Sequence, residues 1–156
     1  MQLIFVWVGK TKNRHWAALE QDYLERIHHF APSRLAVIRE TKGAPRTHLS
    51  QALKREGEKI LAALGSDVYA ILLDERGELL TSAEFAQLIA RQQTAGAKRI
   101  AFIVGGPQGV DSVVRQRAHF LLSLSRMTFP HEMVRVILLE QVYRAFAIIH
   151  KLPYPR

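Results

Sequence analysis

Apolar and polar positions follow two periodicities that alternate along the chain. Runs rich in Val, Ile, Leu and Phe at 3–8, 34–39, 68–73, 100–104 and 121–124 read as strands. Between them, helical spacing covers 14–30, 49–64, 83–94 and 112–119. The third helix has a start signal in Thr81-Ser-Ala-Glu84, where the Thr81 hydroxyl can accept from the Glu84 amide while the Glu84 carboxylate reaches back. Gly96 supplies its stop. Such alternation predicts an α/β fold: a single domain whose mostly parallel sheet is flanked by helices.

The final helix, 131–150, is apolar around nearly its whole circumference, with Met133, Val134, Val136, Ile137, Leu138, Leu139, Val142, Tyr143, Phe146, Ile148 and Ile149. It must be buried on more than one side. A small sheet covers one face, so the pattern predicts a second copy on the other and a closed homodimer. Glu140 and Arg144 are spaced to pair at i, i+4, either to fix register or to act in chemistry.

Composition narrows this picture. A chain of 156 residues fits one domain, and 48% hydrophobic with 23% charged residues is ordinary for a folded protein. No apolar run approaches the roughly 18 residues of a membrane span, so no membrane partner is expected. Cysteine is absent, which excludes thiol nucleophiles and cysteine-ligated metals and suits a reducing compartment such as the cytoplasm. The seven histidines are scattered, no H-E-x-x-H occurs, and no metal is expected.

The formal net charge of +8 is unevenly placed: eleven Lys and Arg face six Asp and Glu in 1–60, six face six in 61–124, and five face two in 125–156. The excess is either a solubility charge or a surface for RNA or DNA. Its exposed carriers are the loops around Lys10, Lys12 and Arg14 and around Lys42 and Arg46.

Three stretches carry candidate chemistry. The strand at 100–104 runs into Gly105-Gly-Pro-Gln-Gly109, followed by Asp111 or Ser112 as a helix cap. Glycines there let a ligand approach the backbone at the carboxyl edge, although a ligand-free tight turn reads equally well. Neither G-x-G-x-x-G nor Gly-Lys-Ser/Thr is present, which removes the mechanical basis of dinucleotide and P-loop readings. Ser123-Leu-Ser-Arg-Met-Thr-Phe-Pro130 leads into the last helix, with His131 and Arg135 one turn apart near its free amides. The tail Lys151-Leu-Pro-Tyr-Pro-Arg156 combines an aromatic ring, a guanidinium and a carboxylate.

Taken in order, the glycine loop, Leu124-Ser-Arg-Met-Thr-Phe-Pro-His131, Met133-Val-Arg-Val-Ile-Leu-Leu-Glu-Gln-Val-Tyr-Arg-Ala145 and the ending Pro153-Tyr154 resemble the RlmH family. These are small SPOUT-class enzymes that methylate N3 of a pseudouridine in large-subunit (23S) ribosomal RNA. Val8-Gly-Lys10 and Lys54-Arg-Glu-Gly-Glu58 fit as well, so the likeness runs the length of the chain.

The resemblance implies a SPOUT fold with a C-terminal deep trefoil knot, S-adenosylmethionine as cofactor, a homodimer, and a ribosomal substrate. It places the cofactor against Leu73, Gly105, Gly106 and the segment Leu124, Ser125, Arg126, Met127, Thr128, Phe129 and Pro130. It gives the catalytic pocket, completed across the dimer by the tail, the candidates Tyr154, Arg156, His131 and Arg135. One departure stands out: the family commonly ends Pro-Tyr-His-Arg or with Lys last, and this chain has Pro155 at the histidine. Two rivals remain open, a non-catalytic RNA-binding or ribosome-assembly protein on this scaffold and a SPOUT methyltransferase acting on transfer RNA.

Overall fold

The computed structural model describes residues 1–154. Five strands form one sheet: β1 (Gln2–Val8), β2 (Ser33–Ile38), β3 (Tyr69–Leu79), β4 (Arg99–Val104) and β5 (Phe120–Ser123). Their order is β2-β1-β4-β3-β5 and every ladder is parallel. The carboxyl ends of all five strands therefore lie along one edge, and the loops that leave them are neighbours.

Five helices, α1 (Arg14–His28), α2 (Leu49–Leu64), α3 (Ser82–Thr94), α4 (Ser112–Arg117) and α5 (His131–Ile149), cover both faces. On one face, Leu3, Phe5, Trp7, Ile100 and Phe102 meet Ile27 of α1, Phe85 and Ile89 of α3, and Leu138, Val142 and Phe146 of α5. On the other, Ile4, Val6, Ala101 and Ile103 meet Ile60 and Leu64 of α2 and Val114 of α4. The central strands β1 and β4 are covered on both sides, which is why their sequences are continuously apolar. Burial of each such Leu, Ile or Phe side chain contributes about 1.5–3 kcal/mol.

The predicted start signals form. Thr81 and Glu84 make a reciprocal capping box, and Asp111 accepts from the Val113 amide to cap α4. Pro130 stands at the N-cap of α5, one residue ahead of its first turn.

Two elements depart from the sequence reading. β3 runs on to Leu79, because 78–79 pair again with Leu122 and Ser123 after a register shift at Leu73. Residues 74–77 arch out between the two pairings, and Gly77 lies so close to β5 that an added Cβ would stand 2.5 Å from the Leu121 carbonyl oxygen. The second departure concerns α5. It packs between α1 and α3 as well as on the sheet, so its own chain covers more of its circumference than a sheet alone could. Met133, Ile137, Glu140 and Arg144 stay partly accessible, and Ile148 is exposed.

Candidate active site

Beyond the ends of β4 and β5 and beside the irregular middle of β3, three segments enclose a cleft of about 480 Å³. Its walls are Leu73 and the arch 74–76, the glycine loop 105–109, and Leu124, Ser125, Met127, Thr128 and Phe129, closed below by His131 and Val134 of α5. Leu73, Gly105, Gly106 and these five residues of the 124–129 stretch thus line one cleft. Arg126 and Pro130 belong to the same stretch and do not line the cleft. Ser125 shapes its own loop: its Oγ accepts from the Met127 amide at 2.9 Å, and its carbonyl accepts from Ser123 Oγ at 3.0 Å.

Gly105 and Gly106 are packed closely. A Cβ on Gly105 would stand 2.7 Å from Val110 Cγ1, and one on Gly106 would stand 3.3 Å from Val8 Cγ1. Side chains here would force the loop or its neighbours to shift. The backbone stays bare at the point where a ligand can approach it.

The sequence reading missed the charged wall. Asp74, only 8% exposed in its side chain, accepts from Arg115 of α4 at 2.5 Å and from the Arg76 amide at 2.9 Å. A run of Asp, Glu and Arg directly after a buried strand was the available signal, since such residues at the end of a parallel strand face a ligand edge.

The four catalytic candidates separate. His131 lines the cleft, and burial, followed by the nearby Arg135 charge, holds its pKa below the ordinary 6.5. The neutral imidazole is thereby favoured in the folded protein. A step that needs neutral His131 keeps its rate as pH falls through 6.5 and loses it only at lower pH. His131→Asn removes that acid limb; a pH–rate profile with the limb retained dissociates His131 from the step.

Arg135 points away from the cleft. It is fully buried, its Nη2 donates to the Val8 carbonyl at 2.7 Å, its Nη1 donates to Thr11 Oγ1 at 2.9 Å, and it lies over the Trp7 ring at 5.7 Å. Tyr154 lies outside the cleft lining, on α1 and α5. Its ring meets Tyr143 edge-on at 5.0 Å, Arg144 sits 4.6 Å over it, and its hydroxyl is 3.5 Å from that of Tyr23. Burial and the Tyr23 hydroxyl push its pKa well above the ordinary tyrosine value, so this phenol stays protonated. Arg144 Nε donates to Glu140 at 2.9 Å, completing the expected i, i+4 pair. Arg156 and Pro155 lie outside the described residues.

The basic loops occupy the same edge of the sheet. Val8 and Ile38 are partners at the ends of β1 and β2, so the loop carrying Lys10 and Lys12 stands beside the one carrying Lys42 and Arg46. All four side chains and Arg14 are exposed. Contact with Lys12 and its charge lower the Lys42 pKa, as expected for two neighbouring ammonium groups. Among the described residues no cluster of three or more His, Asp or Glu could hold a metal, and no helix is long and apolar enough to cross a membrane.

Comparison with known proteins agrees with this arrangement. The family model described as "Predicted SPOUT methyltransferase" matches residues 1–155. Proteins named ribosomal RNA large subunit methyltransferase H are similar along their whole length: 41% identical over 154 residues in Geotalea uraniireducens and 42% over 159 in Carboxydothermus hydrogenoformans, each covering 99% of both chains. A solved probable methyltransferase from Bordetella pertussis Tohama I shares the fold, with TM-score 0.60 over 92% of this chain and 93% of that one at 14% identity. With a fold, a strand-end cleft and a full-length sequence match in agreement, this chain belongs to the SPOUT methyltransferase family.

Proposed function

We propose that this chain transfers a methyl group from S-adenosylmethionine to N3 of a pseudouridine in 23S ribosomal RNA, acting as a homodimer on assembled ribosomes in the cytoplasm. The observation that carries the reading is the convergence of the 105–109 and 124–129 loops on one cleft beside the basic loops. The relatives' names give the same substrate class.

The cleft suits the donor. Its volume lies within the roughly 300–1,000 Å³ of small-molecule sites. Leu73, Leu124 and Phe129 offer apolar surface for a purine, Gly105 and Gly106 bare backbone for polar groups, and Glu75 a carboxylate beside the Asp74–Arg115 ion pair. Bound there, S-adenosylmethionine supplies a methyl group already activated by its sulfonium centre.

The protein's own task is alignment and charge. Pseudouridine N3 carries an imide proton, and its anion is the nucleophile. Arg135 is committed to Val8 and Thr11, so stabilising that anion falls to Arg156 of the tail, while protonated Tyr154 orients the base and neutral His131 is placed to take a proton. The tail acts in the cleft of a second copy, docked along the stripe of α5 that its own chain leaves accessible, Met133, Ile137 and Ile148. In this reading the loops after β4 and β5 are threaded as a trefoil knot.

Labelled donor incubated with ribosomes, followed by nucleoside analysis, is expected to yield N3-methylpseudouridine. Donor that fails to bind supports the RNA-binding rival, and label in transfer RNA supports the other. Arg156→Ala is expected to cut turnover with little change in donor binding; unchanged turnover removes Arg156 from the mechanism.

A further inference from the structure

We infer that Glu132, Thr11 and Glu20 are positioning residues that seat the basic loop 9–13 in fixed register beside the donor cleft, and that this seat sets the affinity for ribosomal RNA. The inference rests on the reading of the cleft given above.

The loop has no regular structure of its own and is held by side chains from two helices. Glu132 Oε1 accepts from the backbone amides of Lys12 and Asn13, the latter at 3.2 Å. The Thr11 hydroxyl donates to Glu20 Oε2 at 2.7 Å and accepts from Arg135 at 2.9 Å. Glu20, buried on α1, also accepts from Trp7 Nε1 at 3.0 Å. Asn13 turns the chain into α1 by accepting from the His15 and Trp16 amides. Gly9 opens the loop at φ +82°, where a side chain would be strained and its Cβ would stand 3.1 Å from Glu40.

These anchors grip backbone amides and a hydroxyl, so the Lys10 and Lys12 ammonium groups remain on the exposed side, available to phosphates. Lys12 and Lys42 are near enough to repel, so the anchors hold the loop against a like-charge repulsion. A carboxylate accepting two amides is the stronger, charge-assisted kind of restraint. One turn of α5 does both jobs: His131 and Val134 line the cleft, while Glu132 holds the loop through the Lys12 and Asn13 amides and Arg135 through Thr11. The lysines are thereby registered to the reacting centre.

Pre-ordering a loop removes an ordering cost from association, so its loss appears in the KM for RNA and leaves the chemical step alone. Glu132→Ala is expected to raise the KM for ribosomal particles about tenfold, with kcat and the dissociation constant for S-adenosylmethionine changing less than about twofold. Glu132→Gln, whose amide oxygen still accepts both N–H groups, recovers most of that loss. Thr11→Val against Thr11→Ser makes the same comparison at the other anchor. An unchanged KM, or a fall in kcat and donor affinity in step with KM, overturns the inference. Wild-type protein that binds no donor overturns the reading of the cleft, and this inference with it.

Discussion

Gly77→Ala is expected to lower the melting temperature by about 5–10 °C and to weaken binding of S-adenosylmethionine by more than about a hundredfold. An ideal Cβ at this position would stand 2.5 Å from Leu121 O, 2.6 Å from Leu121 C and 2.8 Å from Leu122 N. All three atoms are backbone, so no side chain can rotate away. Relief requires β5 to move off β3 where Leu73, Glu78 and Leu79 pair with Leu122 and Ser123. Overpacking of a well-filled interior typically costs about 1–3 kcal/mol, and each kcal/mol is worth about 2–4 °C in a chain of this length.

The binding loss is a separate effect, because the displaced segments are the cleft itself. Leu73, Asp74 and Arg76 precede the clash and Leu122, Ser123 and Leu124 follow it, and all six line the wall. Calorimetric titration with the donor, at a temperature where the variant stays folded, reads this effect apart from stability. A Gly77→Ala protein that binds donor as the wild type does would show that the two strands separate without moving the cleft.

Element type was legible wherever one force dominated. The β1 and β4 runs are apolar because both sheet faces are covered, and capping signals such as Thr81 with Glu84 act within a few residues. The extension of β3 was hidden because Asp74-Glu-Arg-Gly77 is polar for a reason outside the strand pattern: it arches over a cleft. The neighbours of α5 were hidden for a similar reason. Its apolar circumference demanded several partners, but α1 and α3 reach it only through the three-dimensional order of the sheet.

For the candidate site, the glycine loop stood out as glycines after a strand and the 124–129 stretch as the lead-in to a helix, while their joint role came from the family resemblance. The role of Arg135 was not legible. One turn from His131, it reads as a companion in the cleft, yet the helix carries it round to the end of β1. Spacing along a helix fixes which side chains are neighbours and leaves open which partner the helix turns them toward.

Arg135 is therefore expected to matter most for folding: Arg135→Leu should destabilise the protein by about 3–5 kcal/mol, the cost of breaking a buried charged group from its partners. Its guanidinium is 0% exposed and supplies the donors for the Val8 carbonyl and Thr11 Oγ1. Leucine fills much of the volume and replaces neither bond. The change also removes the cation that shares Thr11 with the nearly buried Glu20 carboxylate, whose own donors, Thr11 and Trp7, are uncharged. Burial lowers the Arg135 pKa, and the Glu20 carboxylate is the largest influence opposing it. Glu20→Gln combined with Arg135→Leu should accordingly cost less than the two single changes added together, since no lone charge is left inside. Urea denaturation of the four proteins of this cycle measures the coupling. A loss below about 1 kcal/mol for Arg135→Leu, or strict additivity in the double variant, would mean that the guanidinium is not held by this network.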